Sequence, residues 1–498
     1  MKKINLREEA KKELTEGLDL KFDTSKLESN KKVSPRAVKR NFKIGLLCFG
    51  IAATLAIVAV PVAFIYRLMS DTYMDVTRNY KMSSPKYTSQ NKNTFIGLNS
   101  IQYPESDPSK KEIKVFSETE KESYLSFASQ IYSAMDMKSI KNCMISPITL
   151  YGFFISSYGM ISDPEVMNKY DSLLKLTNSD RVDFYKKMFE NNFNLYQDGV
   201  VELHNGVFVD GKGPEINPDY IDYLSSIYAE AYSLYFNKND DVKKMIDWVN
   251  NAIGEKDYLK KDDLSITANT CAFLFSTLNF EMKWYQAFEK TDSYTSTFHT
   301  RTKDIETKFM KHFAVSDYMY DYPNYVVVSD KYKNNYSVTY IVSKTDDFNT
   351  FDLVNGIDVF KYDENYRIEP EFVDLHVPCF EKEAMFNFYK LMSNLNLADI
   401  FNASKGTFNN LYKVQKSGSN TPDVYLEQLQ QKNKVVFDEE GTIVKSLTIG
   451  GFGAKSAPPV EGKLIKLNRP FIYIIRDQNG MPLYVGHMEN PANEQESI

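Results

Sequence analysis

The sequence has few of the residues on which metal sites and hydrolytic active sites depend. Its 498 residues include 4 cysteines and 5 histidines, and the histidines stand singly along the chain. Their spacing fits neither a zinc-binding pattern nor a local arrangement of nucleophile and base. We therefore expect no catalytic residue, no metal site, no cofactor and no enzymatic activity.

Other scarcities exclude further classes of protein. Gly (21) and Pro (18) are too few for a collagen-like or low-complexity polymer. Lys and Arg (60) do not outnumber Asp and Glu (66), so the chain has no excess of cations to neutralise phosphates and we expect no nucleic-acid partner. Cys143, Cys271 and Cys379 each lie in an apolar stretch. We interpret these three as buried hydrophobic side chains and not as a disulfide framework.

Apolar and aromatic side chains are plentiful, at 43% and 14% of the chain. Such a composition can offset the conformational entropy lost on folding. Charge is unevenly spread, because residues 1–43 carry a net charge of +6 while the whole chain carries −6. The sequence thus has a basic head and an acidic body.

Between head and body lies one long uncharged run, Ile44 to Tyr66. As a helix it would be about 34 Å long, enough to span a bilayer. Cations are denser before it than after it, which predicts a cytoplasmic N-terminus and an extracellular body. A buried core helix and a signal peptide cleaved near Ala63 are the alternatives, and we favour a retained membrane anchor.

Composition divides the body into a stalk, a folded domain and a short tail. Residues 67–115 are rich in Ser, Lys, Asn and Tyr without sustained periodicity, and we interpret them as a stalk. A capping box at Ser117 and Glu120 predicts that a domain spanning 116–492 begins there, followed by a tail at 493–498. Strand-like runs with helical stretches near 219–232 and 386–394 indicate an α+β fold. We expect a monomer.

The C-terminal strands carry the family resemblance. Residues 465–477, 483–486 and 490–491 closely resemble the closing strands of the serpin family, and 205–208 and 377–380 resemble earlier serpin segments in order. The resemblance implies a large, mostly antiparallel central sheet, additional sheets, surrounding helices and an exposed reactive loop. It covers about 117 to 491.

The resemblance also suggests a shutter, the region that controls opening of the central sheet. Asn142, Ser146 and Pro147 look like shutter residues of the family. By spacing, Ser276 stands where the family has Asn, and Gln431 stands where it has His. These departures put the hydrogen-bonded control of sheet opening in question, but not the fold.

Residues 439–459 resemble the serpin hinge and reactive loop. The hinge would comprise Glu439, Glu440 and Gly441, and in this family the scissile bond follows the fourteenth residue after the hinge glycine, which predicts cleavage at Lys455-Ser456. With period-two alternation, one face of the inserted strand would turn uncharged side chains to the core, namely Thr442, Val444, Ser446, Thr448, Gly450 and Phe452. Phe452 and Ala454 are rival cleavage points.

These features predict a membrane-tethered suicide inhibitor of serine proteases. A Lys before the scissile bond selects a trypsin-like enzyme, whose specificity pocket carries an Asp. The alternative is a non-inhibitory serpin-fold module for surface binding, chaperone or adhesion roles. Bulky Val444, Lys445 and Leu447 favour this alternative, because inhibitory serpins usually have small residues there.

Overall fold

The computed structural model describes residues 94–135, 142–314, 318–345, 358–369, 373–413, 423–443 and 463–492. The predicted head (1–43), membrane helix (44–66) and tail (493–498) lie outside the described residues, as does the first part of the predicted stalk. No helix in the described ranges is both long enough and apolar enough to cross a membrane.

The helices differ in burial, and one of them is buried along almost its whole length. In chain order they are α1 (Glu118–Ala134), α2 (Pro147–Tyr158), α3 (Pro164–Leu174), α4 (Asn178–Asn191), α5 (Pro218–Ser226), α6 (Asn239–Ile253) and α7 (Tyr389–Asn394).

Local sequence explains where these helices begin. Ser117 and Glu120 form the predicted capping box of α1. Ser146 caps α2, and Pro147 occupies its first turn, where a missing N–H costs nothing. Every residue of α2 from Pro147 to Ser157 is buried, because the helix packs against two different sheets.

The strands, in chain order, are β1 (Ile96–Gly97), β2 (Cys143–Ile145), β3 (Phe193–Tyr196), β4 (Gly199–Asp210), β5 (Ala229–Leu234), β6 (Ala272–Lys283), β7 (Tyr294–His299), β8 (Asp304–Ala314), β9 (Met319–Asp321), β10 (Tyr325–Lys331), β11 (Ser337–Ser343), β12 (Arg367–Ile368), β13 (Val373–Pro378), β14 (Phe380–Asn387), β15 (Gln430–Phe437), β16 (Gly441–Ile443), β17 (Lys463–Lys466), β18 (Phe471–Arg476) and β19 (Pro482–Met488).

They form three sheets. The central sheet has the order β1-β5-β4-β6-β16-β15-β14, with β3 also paired to β4. Its ladders are antiparallel except between β4 and β5. The second sheet runs β12-β9-β10-β11-β18-β19-β2, and the third runs β17-β13-β8-β7. Helix α2 contacts β6 of the central sheet and β19 of the second sheet, so the core lies between these two sheets.

The bounds of two predicted helices need correction. The helix expected over 219–232 ends at Ser226, and Ala229–Leu234 is a strand beside β4. Tyr228 between them has a φ of 57°, in the left-handed region, which breaks the helix. The helical stretch predicted from 386 begins at Tyr389, because 386 and 387 still pair with β15.

The described part of the predicted stalk belongs to the folded body. Ile96–Gly97 forms a strand on the edge of the central sheet, paired with Ser233 and Tyr232. Phe95 packs on Phe208 and Tyr232, with ring centroids 6.2 and 5.0 Å away. Residues from Thr94 to Gly97 therefore pack on the central sheet, ahead of the predicted domain start at 116, because Phe95 buries apolar surface that composition alone did not reveal.

Candidate functional site

The loop hinge enters the central sheet between β6 and β15, which share no ladder of their own within the described residues. Thr442 pairs with Met282 of β6 on one side and with Phe437 of β15 on the other. Both ladders are antiparallel, so β6 and β15 run parallel to each other with the hinge between them. The start of the loop thus already forms a short strand in a slot of the sheet.

Two hinge residues are fitted closely to this slot. A Cβ on Gly441 would lie 2.4 Å from the Met282 carbonyl oxygen, so only glycine fits without moving backbone. Thr442 is fully buried, and its hydroxyl oxygen accepts a hydrogen bond of 2.5 Å from the Tyr332 hydroxyl. The Tyr332 ring stacks on Trp284 at 4.5 Å. Thr442, the first inward side chain of the loop, therefore packs between Met282 and Phe437 and is hydrogen-bonded to Tyr332.

Glu439 anchors the turn before the hinge. Its carboxylate accepts a hydrogen bond of 2.7 Å from Ser293 and an ion-paired contact from Lys308 of β8, although the residue is only 5% exposed. Burial raises the pKa of Glu439, but the bonds from Lys308 and Ser293 outweigh burial and hold the pKa below its ordinary value. The carboxylate therefore stays charged and ties the hinge to the third sheet.

The backbone of the same turn is tied to Trp284. The Trp284 indole N–H donates to the Asp438 carbonyl at 2.8 Å, and the Trp284 backbone N–H donates to the Glu440 carbonyl at 3.2 Å. Glu440 itself pairs with Lys290 at 2.6 Å. Trp284 and its neighbours thereby fix the point where β15 turns into the loop.

Below the hinge, the two strands leave a cleft. A cavity of about 230 Å³ lies between β6 and β15 and reaches α2 and α6. Within the described residues no ladder joins β6 to β15 below Ile443. Phe273, Leu274 and Phe275 of β6 are accordingly only half-buried although they lie in a central strand. A strand with matching side chains could complete this part of the sheet.

Gln431 occupies the middle of the cleft and holds the start of α2. Its side-chain oxygen accepts from the Ser146 backbone N–H at 2.8 Å. Its side-chain nitrogen donates to the Ser146 carbonyl at 3.2 Å and to the Thr149 hydroxyl at 2.6 Å. One amide therefore supplies both a donor and an acceptor, so the position where the family has His still links β15 to the helix.

Ser276 lies across the cleft, in a second polar cluster. It is the cross-strand partner of Asn205, whose side-chain oxygen accepts from the Tyr185 hydroxyl at 3.0 Å. A Cβ on Gly152 of α2 would come within 2.5 Å of both the Ser276 and the Tyr185 hydroxyl oxygens. The absence of a side chain at Gly152 is what lets these groups meet beneath the sheet.

The other predicted shutter residues lie at the start of α2 and just before β2. The Ser146 hydroxyl donates to the Leu483 carbonyl at 2.9 Å. Asn142 accepts from the backbone N–H groups of Glu489 and Asn490 at 2.7 and 3.0 Å, and so fastens the end of β19. The structure thus brings Ser276 and Gln431 to the cleft and bonds Ser146 to Gln431, while Asn142 holds the end of β19.

Sequence reasoning did not identify several members of the site. Asn433 donates to the Met144 carbonyl and to the Gln431 side-chain oxygen, at 2.8 and 2.9 Å. Lys308, Tyr185 and Gly152 lie far from the hinge in sequence, and no local pattern marks them. Val444, Ser446, Thr448, Lys455 and Ser456 lie outside the described residues, so the predicted reactive bond stays a prediction.

The loop thus begins as a strand between β6 and β15 in a body of three sheets, and within the described residues no other strand lies between these two. The chain belongs to the serpin family, whose model, described as serpin (serine protease inhibitor), matches residues 122–491.

The chain is similar to several serpins at low sequence identity. The chain is 24% identical to human serpin B13 over 282 residues, which is 55% of this chain and 70% of that protein. It is 23% identical to serine proteinase inhibitor 1 of monkeypox virus over 363 residues, which is 70% of this chain and 95% of that protein. The crystal structure of the thermophilic serpin tengpin in its native state superposes with a TM-score of 0.67 at 18% identity, covering 80% of this chain and all of tengpin.

Proposed function

We propose that this protein is a membrane-tethered suicide inhibitor of trypsin-like serine proteases, cleaved at Lys455-Ser456. In this mechanism the protease attacks the Lys455 carbonyl, the peptide bond breaks, and Ser456 leaves with the new amino terminus. The protease remains esterified to Lys455 while the loop inserts into the central sheet. The observation that carries the proposal is the hinge strand β16, which already occupies the top of the slot.

The register of β16 supports a match between loop and slot. Extending the observed pairs downward would set Val444 between Phe280 and Val435, two buried apolar residues. The same extension would set Thr448 between Ser276 and Gln431. An apolar loop residue would thus meet apolar neighbours, and a polar loop residue would meet the polar centre of the cleft.

The length of the slot supports the position of the reactive bond. Strand β6 begins at Ala272, and the extended register would bring Phe452 opposite that residue. Lys455 would then lie just past the end of the slot. A protease attached there would be carried to the far end of the sheet without any charged loop residue on the inward face.

The membrane anchor rests on the sequence. The uncharged run 44–66 and the excess of cations before it favour a cytoplasmic N-terminus and an extracellular inhibitor. Since the folded body includes Thr94, the connection to the membrane would be at most the stretch 67–93. A monomer tethered in this way would act on proteases close to the cell surface.

A second candidate function is a non-inhibitory serpin-fold binding module. The bulk of Val444 favours it, because inhibitory serpins usually have small residues at this position of the loop. Slow insertion would let water hydrolyse the acyl-enzyme before the protease is trapped. The protein would then be a protease substrate.

Trypsin distinguishes the two functions. We expect the full chain in detergent to form a covalent complex with trypsin that survives SDS, and Lys455→Ala to form none. Lys445→Ala is the matched control, because it removes the other Lys of the loop while leaving the proposed bond intact. Cleavage without a stable complex would support the non-inhibitory module, and cleavage at a bond other than Lys455-Ser456 would refute the proposed site.

A further inference from the structure

The third sheet carries a chain of three titratable side chains that the proposed inhibitory mechanism does not use. The Tyr294 hydroxyl oxygen lies 2.5 Å from His376 Nδ1, and His376 Nε2 lies 3.0 Å from an Asp374 carboxylate oxygen. Tyr294 belongs to β7, and the other two belong to β13. The three side chains therefore form one hydrogen-bonded chain across the sheet.

The direction of each hydrogen bond follows from the chemistry of the groups. A carboxylate can only accept, so the hydrogen between Asp374 and His376 belongs to Nε2 of the ring. In the uncharged ring Nδ1 then has a free lone pair, and the Tyr294 hydroxyl donates to it. His376 is thus oriented as a base toward Tyr294, while Asp374 holds the ring in the required tautomer.

The surroundings of His376 keep its ring uncharged at neutral pH. Burial lowers the pKa of His376 below its ordinary value of 6.5, and although Asp374 opposes this effect, the ammonium groups of Lys311 and Lys466 reinforce it. Lys466 of β17 and Lys311 of β8 are the residues paired with His376 in the strands on either side. The ring can therefore take up a proton from Tyr294 during a reaction.

The Tyr294 oxygen is protonated, fixed in position and accessible. Burial raises the pKa of Tyr294, and Asp374 raises it further, so the hydroxyl keeps its proton until a base removes it. The Tyr294 ring stacks on Phe309 with ring centroids 5.9 Å apart. The Lys466 ammonium lies 5.4 Å from the Tyr294 ring centroid, and it donates to the Ser296 hydroxyl at 2.8 Å. Because Tyr294 is only half-buried, a small reagent can reach its oxygen beside a cation that stabilises developing negative charge.

We propose that Tyr294 is a covalent acceptor for acyl groups, with His376 as its base and Asp374 as the residue that positions the base. The Tyr294 oxygen attacks the carbonyl carbon of an activated ester, and its proton passes to His376 Nδ1. The bond from that carbon to the leaving oxygen then breaks, and the leaving group takes the proton from His376. The substrates are small carboxylic esters with a good leaving group, and the product is an ester of Tyr294 with one acyl group on each chain.

Labelling with p-nitrophenyl acetate tests the acceptor in the full chain in detergent. Mass spectrometry of the digested protein follows the rate of acetylation at each tyrosine. Tyr389 is the internal control, because it is 58% exposed and so more accessible than the half-buried Tyr294. At neutral pH we expect Tyr294 to be acetylated at least about tenfold faster than Tyr389. Faster labelling of Tyr389, or acetylation of Lys466 in place of Tyr294, would overturn the proposal.

The pH profile of the wild-type chain separates assistance by a base from simple accessibility. An unassisted tyrosine reacts as its phenolate, so its rate rises about tenfold for each pH unit up to a pKa near 10. Acetylation of Tyr294 should instead be nearly constant between about pH 7 and 9, because His376 is already uncharged there. A Tyr294 rate that climbs tenfold for each pH unit would overturn the role of His376.

Two variants test the base and the residue that positions it. His376→Gln and Asp374→Asn should each slow acetylation of Tyr294 at least about tenfold at neutral pH. The second has this effect because the Asn amide can donate to Nε2, which moves the ring hydrogen to Nδ1 and leaves no lone pair for Tyr294. His299→Gln is the matched control, since it removes another histidine of the third sheet that lies 2.9 Å from an aspartate oxygen. Wild-type labelling rates in both variants, at an unchanged melting temperature, would contradict the proposed chain of three residues.

Discussion

Replacing Thr442 by Arg tests the hinge most severely. Thr442 is fully buried between Met282 and Phe437, and its hydroxyl receives the Tyr332 hydrogen bond. Arg at this position would place a cation on the inward face of the inserting strand. The neighbouring strands offer it apolar side chains where it needs an acceptor.

The cost of that cation sets the size of the effect. A buried charge without a partner costs several kcal/mol, and each ~1.4 kcal/mol changes a rate tenfold. Because Thr442 already lies between β6 and β15, Arg would expel β16 from the sheet, and insertion would then have to return position 442 to the sheet. If about 3 kcal/mol of the cost is felt at this return, insertion slows by roughly 100-fold. Hydrolysis of the acyl-enzyme then outruns insertion, and the inhibitor becomes a substrate.

The assay is the stoichiometry of inhibition with trypsin, measured by titration and by the ratio of SDS-stable complex to cleaved protein. Thr442→Arg should yield cleaved protein almost exclusively. Thr442→Ser is the control, because it keeps the hydroxyl for Tyr332 and introduces no charge. An unchanged stoichiometry in Thr442→Arg would refute the reasoning, since it would mean that inhibition does not need position 442 in the sheet.

Three further predictions address the shutter, the hinge and the anchor. Gln431→Ala should lower the free energy of unfolding by about 1–3 kcal/mol in urea, because it leaves the Ser146 N–H buried without its acceptor, whereas Gln430→Ala, at an exposed neighbour, should change it little. Because the pKa of Glu439 is lowered in the folded state, its stabilisation of the hinge is complete above the ordinary pKa of 4.5 and is lost as pH falls through the lower folded-state pKa. Uptake of a synthetic peptide with the sequence of residues 442–455 should therefore accelerate below pH 4.5 in the wild type. Glu439→Gln should show the fast rate at all pH values. Protease treatment of intact cells should release the body, and recovery of a soluble chain starting after residue 63 would contradict a retained anchor.

The fold could be predicted largely because local signals and family resemblance agree. The Ser117 capping box and the Ser146-Pro147 start of α2 are local, and both lie where the sequence placed them. The serpin family is confirmed by the match over 122–491. The helix prediction for 219–232 was wrong in its second half. Apolar spacing there suits a helix, but pairing with β4 decides the conformation of Ala229–Leu234.

The site was less predictable, because its contacts join distant parts of the chain. Gln at position 431, where the family has His, put the hydrogen-bonded control of sheet opening in question. In the structure the Gln431 amide makes three hydrogen bonds to Ser146 and Thr149. Nothing near Glu439 in sequence points to Lys308, which reaches it from the third sheet. Spacing can place a residue on a strand, but tertiary structure supplies its partners.

The melting temperature before and after loop cleavage tests the central claim most directly. If the cleaved loop inserts, residues 444–452 gain antiparallel ladder bonds to both β6 and β15, each worth about 0.5–1.5 kcal/mol. The full chain cleaved at Lys455-Ser456 should then melt more than about 10 °C above the intact chain. A cleaved chain that melts at the same temperature, or below it, would contradict insertion and with it the proposed inhibitory mechanism.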